Sequence, residues 1–124
     1  MYAILVIIIG LLCSVSYAES YVVQDLETAI IMSQDTKMPI LLVFGADWCE
    51  HCKILKDDLT KGEYGKELDK YIVCYLNVDE HKKYKAMYNV KALPDSRILV
   101  DQKETKHIVG YNKKKYKEWL SNDK

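Results

Sequence analysis

The order of apolar and polar positions divides the chain into short elements. Val22, Leu26, Ala29 and Ile30 recur at helical spacing and predict a helix over 22–34. Pro39 closes that region and opens Ile40-Leu41-Leu42-Val43-Phe44, an unbroken apolar run typical of a strand buried on both faces. Cys52, Leu55 and Leu59 then fall on one face of a second helix. Gly62 and Gly65 predict a break, with a further turn of helix over 67–70. Tyr71 to Val78 reads as another buried strand, closed by Asp79 as a helix cap. The next helix takes its apolar stripe from Tyr84, Met87 and Tyr88. Beyond Pro94, residues 97–100 and 107–109 predict two short strands, with the polar stretch 101–106 as their hairpin connection. Asn112 caps a last helix whose inner face is Tyr116, Trp119 and Leu120.

Helices alternate with the first two strands, and the last two strands form a hairpin. That order predicts an α/β fold in which a mixed sheet of four to five strands has helices on both faces. The 124 residues suffice for one domain, with no repeat or linker to divide it.

Residues 1–18 contain no charged side chain, and the run from Ala3 to Leu12 is apolar with one glycine. Small residues at Ser16 and Ala18 suit a signal peptidase, so residues 1–18 are expected to be a signal peptide cleaved after Ala18. An uncleaved anchor is the alternative, although a membrane span ordinarily needs about 20 apolar residues. On this reading residues 19–124 form the domain, exported to the periplasm or secreted, and a membrane is involved only if the first segment is retained. The 18 basic and 18 acidic residues cancel, which gives no reason to expect nucleic acid as a partner. Lys113 to Lys115 reads as the solvated start of the last helix.

Export alters how the cysteines are read. Three of the four remain, Cys49, Cys52 and Cys74, an odd number that excludes a fully paired disulfide framework. Cys49-Glu50-His51-Cys52 points instead to a working dithiol. Positions i and i+3 at a helix start lie about 5–6 Å apart, within disulfide reach. Unpaired backbone N–H groups there stabilise an anion, so Cys49 would be the exposed thiolate and Cys52 the resolving thiol. A cationic His51 would stabilise the thiolate, in a class of sites where thiols titrate between about 3.5 and 7.5. Glu50 would oppose it, leaving an intermediate redox poise.

The segment from Phe44 to Lys53 resembles the active-site stretch of thioredoxin-like proteins. Ala46-Asp47-Trp48-Cys49, closed by Cys52-Lys53, is especially similar to periplasmic thioredoxin-like domains that pass on reducing equivalents. Leu76 to Asp79 resembles the family's third strand and its exit, and Val90 to Pro94 resembles the segment carrying its cis-proline. Gly110 and the helix through Tyr116 and Leu120 extend the likeness over residues 22–121. The resemblance implies a thioredoxin-like fold and a thiol–disulfide oxidoreductase. Its partners would be protein thiols and disulfides outside the cytosol, together with an upstream redox donor or acceptor. It implies Cys49 as attacking and Cys52 as resolving cysteine, with Trp48, Leu93 and Pro94 forming the substrate-binding surface. No cofactor is expected, and the protein is expected to be a monomer. Two departures stand out. Val43 and Tyr75 replace a buried aspartate and a nearby lysine, leaving water or Glu50 to receive the Cys52 proton. Asp95 replaces the threonine after the cis-proline and adds negative charge near the groove.

Other readings of the same residues are weaker. A structural zinc site needs four ligands, and His51, Cys74, His81 and His107 are too scattered to complete one, so no metal is expected. Cys74 has the opposite strand parity from Tyr75, which makes it a buried, inert thiol. His81 and His107 read as surface residues without a role, and Lys53 as a residue that snorkels from the active-site helix. The functional alternative is a redox-sensitive binding module that keeps the fold without turnover; the intact cysteine pair around His51 favours the enzyme.

Overall fold

The computed structural model describes residues 22–122, so the expectations for residues 1–18 lie outside the described residues. Strand β1 (Val22–Val23) leads into α1 (Leu26–Thr36), and β2 (Ile40–Gly45) into α2 (Glu50–Thr60) and the short α3 (Gly65–Leu68). Strand β3 (Ile72–Asn77) is followed by α4 (Lys82–Met87), the hairpin β4 (Asp95–Val100) and β5 (Lys103–Val109), and α5 (Lys113–Ser121). The sheet order is β1-β3-β2-β4-β5, with β1, β3 and β2 parallel and β4 and β5 antiparallel to their neighbours. The expected mixed sheet is therefore present with five strands.

The fifth strand corrects the reading of the first helix. Val22 is not helical: it pairs with Val73, and Val23 with Cys74. The helix starts later because the extended Asp25 accepts hydrogen bonds from the Thr28 backbone N–H at 3.1 Å and the Thr28 hydroxyl at 2.6 Å. It stops at Lys37, whose φ of 63° is left-handed and whose N–H returns to the Ser33 carbonyl.

Every residue of β2 is buried, because the sheet is covered on both faces. Even-numbered Leu42, Phe44, Cys74 and Leu76 join Leu26 and Ala29 of α1 in one cluster. Odd-numbered Leu41, Val43, Val73 and Tyr75 meet Leu55, Leu59, Tyr116 and Leu120 in the other. Period-two alternation along the strands sends successive side chains to opposite layers. Each fully buried leucine contributes about 1.5–3 kcal/mol.

Three further expectations change. Asp79 does not cap α4; His81 holds that position, without a side-chain cap. Met87 is 65% exposed and leaves the apolar stripe to Tyr84 and Tyr88, which pack against the first cluster. The hairpin turn is only Asp101-Gln102, since left-handed φ values of 50° and 64° let two residues reverse the chain. Asn112 does cap α5, accepting from the Lys115 N–H at 3.1 Å.

Candidate active site

The site forms where β2 ends and α2 begins. Cys49 is extended at the N-cap of α2, and its Sγ accepts the Cys52 backbone N–H at 3.3 Å. Cys49 and Cys52 form a disulfide with their Cα atoms 5.2 Å apart, matching the spacing expected across one helical turn. Their surroundings differ. Cys52 is completely buried with Leu55 and Leu59, whereas Cys49 is half-buried and borders a groove. Partner access therefore falls on Cys49, while the helix start supplies N–H groups and a positive dipole end for a thiolate there.

Glu50 and His51 occupy the exposed first turn of α2 beside the pair. Trp48 is 70% exposed, which excludes a core role. Its indole N–H donates to the Asp79 carboxylate at 2.9 Å, the function Asp79 performs in place of capping. The Leu93–Pro94 peptide is cis, and Leu93 with Trp48 and Cys49 lines a groove of about 350 Å³. Pro94 is held by the Gly110 N–H, which donates to its carbonyl at 2.7 Å. Gly110 has φ of 84°, so this tie requires a residue free to adopt left-handed backbone.

Asp95 behaves differently from its sequence reading. It is 2% exposed, and Arg97 holds it with two donors, Nε at 2.9 Å and Nη2 at 3.2 Å. His107 Nε2 lies 2.9 Å from the same carboxylate, so this histidine is not without a partner. Arg97 also reaches Glu104 at 2.8 Å and stacks near the rings of Phe44 and Tyr88. Burial opposes the Arg97 charge, but its bonds to Asp95 and Glu104 outweigh that and hold its pKa above the ordinary value. Asp95 thus anchors the strand after the cis-proline and adds no free charge to the groove. A basic residue inside the apolar run of β4 was the sequence signal for this cluster.

Val43 and Tyr75 are cross-strand partners in the α2-side cluster. The Tyr75 ring lies over Gly45, where an added Cβ would fall 2.0 Å from the phenol oxygen. Burial and the nearby charge of Asp47 push the Tyr75 phenol up, so it stays neutral. Cys74 belongs to the opposite cluster, as its parity required, and burial with the charge of Asp25 pushes its thiol up to about 12. Among the described residues no group of three or more His, Cys, Asp and Glu could hold a metal ion. No described helix is long and apolar enough to cross a membrane.

A disulfide at a helix start, its first cysteine half-buried and its second fully buried, beside a groove lined by the residue that precedes a buried cis-proline, defines a thiol–disulfide exchange protein. The thioredoxin family model matches residues 21–122. Thioredoxin of Rickettsia typhi is 33% identical over 90 residues, which span 70% of this chain and 83% of that protein. The crystal structure of thioredoxin from Fasciola hepatica aligns with a TM-score of 0.66 and 25% identity, covering 81% of this chain and 95% of that one. Trxlp of Edwardsiella tarda is similar in fold, with a TM-score of 0.71 at 20% identity over 82% of this chain and all of its own. The chain belongs to the thioredoxin family, and it is a thiol–disulfide oxidoreductase acting on protein thiols and disulfides.

Proposed function

We propose that the protein exchanges its Cys49–Cys52 pair with cysteines of extracytoplasmic proteins, with Cys49 attacking and Cys52 resolving. The observation that carries the assignment is the contrast between half-buried Cys49 at the N-cap and fully buried Cys52 one turn inside. In the reducing direction the Cys49 thiolate attacks one sulfur of a partner disulfide. The partner's S–S bond breaks, a mixed disulfide forms and the other partner sulfur leaves as a thiolate. Cys52 then loses its proton and attacks Cys49 Sγ, which releases the second partner sulfur. Two electrons pass to the partner, its sulfurs take up two protons, and the Cys49–Cys52 disulfide remains. An upstream donor restores the dithiol; the oxidising direction runs the same steps in reverse with an upstream acceptor.

Trp48 and Leu93 form the surface against which the partner segment lies, Pro94, buried next to Leu93, shapes it, and Glu50 and His51 tune the thiolate from the exposed first turn. Export is supported by the uncharged segment 1–18 with small residues at Ser16 and Ala18, and by the likeness of Ala46 to Cys49 to periplasmic domains.

Turnover in an insulin-reduction assay tests the assignment. Cys49→Ser abolishes it, and Cys52→Ser accumulates mixed disulfides with partners. Undiminished turnover in Cys49→Ser overturns the enzyme reading, and oxidation-dependent partner binding without any turnover would mark a binding module instead. Amino-terminal sequencing of the protein recovered from the cell envelope or medium tests export; recovery only from the cytosol with Met1 intact refutes it.

A further inference from the structure

The groove beside Cys49 is apolar along its walls and cationic in its charge. Trp48, Val78, Val90 and Leu93 supply the apolar surface, and the charged side chains that line it, Lys85 and Lys91, are both lysines. Lys85 projects from α4 and Lys91 from the segment leading to the cis peptide, so two separate parts of the fold bring positive charge to one place. Neither lysine has an ion-pair partner among the described residues. The Asp79 carboxylate, which accepts the Trp48 indole N–H, does not itself line the groove. Of the three segments that line it, the one over residues 81–91 holds four lysines and no acidic residue, whereas Asp47, Glu50, Asp79 and Glu80 flank the other two without lining the groove themselves.

We infer that this groove selects, among partner segments, those whose reacting cysteine is flanked by aspartate or glutamate. The inference rests on the exchange activity proposed above and names its substrate class. An extended segment advances about 3.3 Å per residue, so the acidic side chains belong within about three residues of the cysteine. There they meet the lysines while the intervening side chains cover the apolar wall. Opposite charge across such a contact speeds encounter and fixes register, and salt weakens it because the Debye length shrinks from about 8 Å at physiological ionic strength to about 3 Å at 1 M.

The test uses the reduced full-length protein and disulfide-linked dimers of short peptides, identical except for Glu, Gln or Lys around one cysteine. Second-order rate constants come from tryptophan fluorescence. Each is divided by the rate of dithiothreitol with the same peptide, which removes the effect of flanking charge on the disulfide itself. The expected order is Glu above Gln above Lys, with about three- to tenfold between Glu and Gln at low salt, the size expected of two solvated ion pairs. The order compresses at high salt and inverts in the Lys85→Glu/Lys91→Glu variant, while Lys114→Glu on α5 keeps it. Equal normalised rates, or an order that survives the double charge reversal, overturn the inference. Neutral hydroxyethyl disulfide separates the two proposals. A wild-type protein that exchanges with it but shows no charge order refutes only the selectivity. One that exchanges with no disulfide refutes the function and the selectivity together.

Discussion

The ion cluster behind the cis-proline gives the most quantitative prediction. Asp95 and Arg97 are 2% and 7% exposed and joined by two hydrogen bonds, so the pair has exchanged water for each other. Replacing Asp95 by Asn keeps the shape but removes the charge and turns amide donors toward guanidinium donors. Breaking a buried pair in this way costs about 3–5 kcal/mol. Glu104 retains one contact to Arg97 and is 39% exposed at its side chain, so it recovers part of that loss. The expected cost is about 3 kcal/mol, a large share of the roughly 5–15 kcal/mol that holds a domain together. At about 4–8 °C per kcal/mol the melting temperature falls by at least about 12 °C. In Asp95→Leu/Arg97→Met both charges leave together, and stability returns to within about 1.5 kcal/mol of wild type, because desolvation of the pair offsets much of its attraction. Urea unfolding followed by tryptophan fluorescence measures all of these variants. An Asp95→Asn variant within about 1 kcal/mol of wild type would show that water, and not Asp95, satisfies Arg97.

Three other outcomes are expected. His51→Ala shifts the disulfide potential more negative and Glu50→Gln more positive, at about 30 mV per 1.4 kcal/mol of thiolate stabilisation, read by glutathione equilibration; no shift would assign the tuning to the helix N–H groups alone. Cys74→Ala costs about 1 kcal/mol at pH 7. Because the native Cys74 thiol is raised to about 12 from 9.0, the stability it contributes is complete below pH 9 and declines above it as the unfolded thiol ionises. The gap between wild type and Cys74→Ala therefore narrows on raising the pH above 9, and a constant gap in urea midpoints contradicts the burial argument. Gly45→Ala places a Cβ 2.0 Å from the Tyr75 oxygen and costs about 1–3 kcal/mol in urea unfolding, a loss that Tyr75→Leu relieves. Strictly additive costs would disprove that contact.

The chain's periodicity determined most of the fold and the reactive pair. The apolar run Ile40 to Phe44, opened by Pro39, suits a strand buried on both faces, and the stripe Cys52, Leu55 and Leu59 suits a helix that buries one face; both are local patterns. Cys49 and Cys52 were legible for the same reason, since a helix start sets their 5.2 Å spacing without distant residues. Val22 and Val23 were misread because two residues carry too little pattern; what makes them a strand is the β3 edge, 51 positions further on. Asp79 has the sequence of a cap, but tertiary structure placed it under the Trp48 indole, a partner 31 residues away. Asp95 looked like a charge for the groove until β4 and β5 brought Arg97 and His107 onto it. Lys85 and Lys91 belong to a lysine-rich stretch, but lysines on a helix and in a loop point to no site until the chain folds them around one cleft. Backbone geometry and burial patterns are written in neighbouring residues; the neighbours of a charge are decided by which segments the sheet brings together.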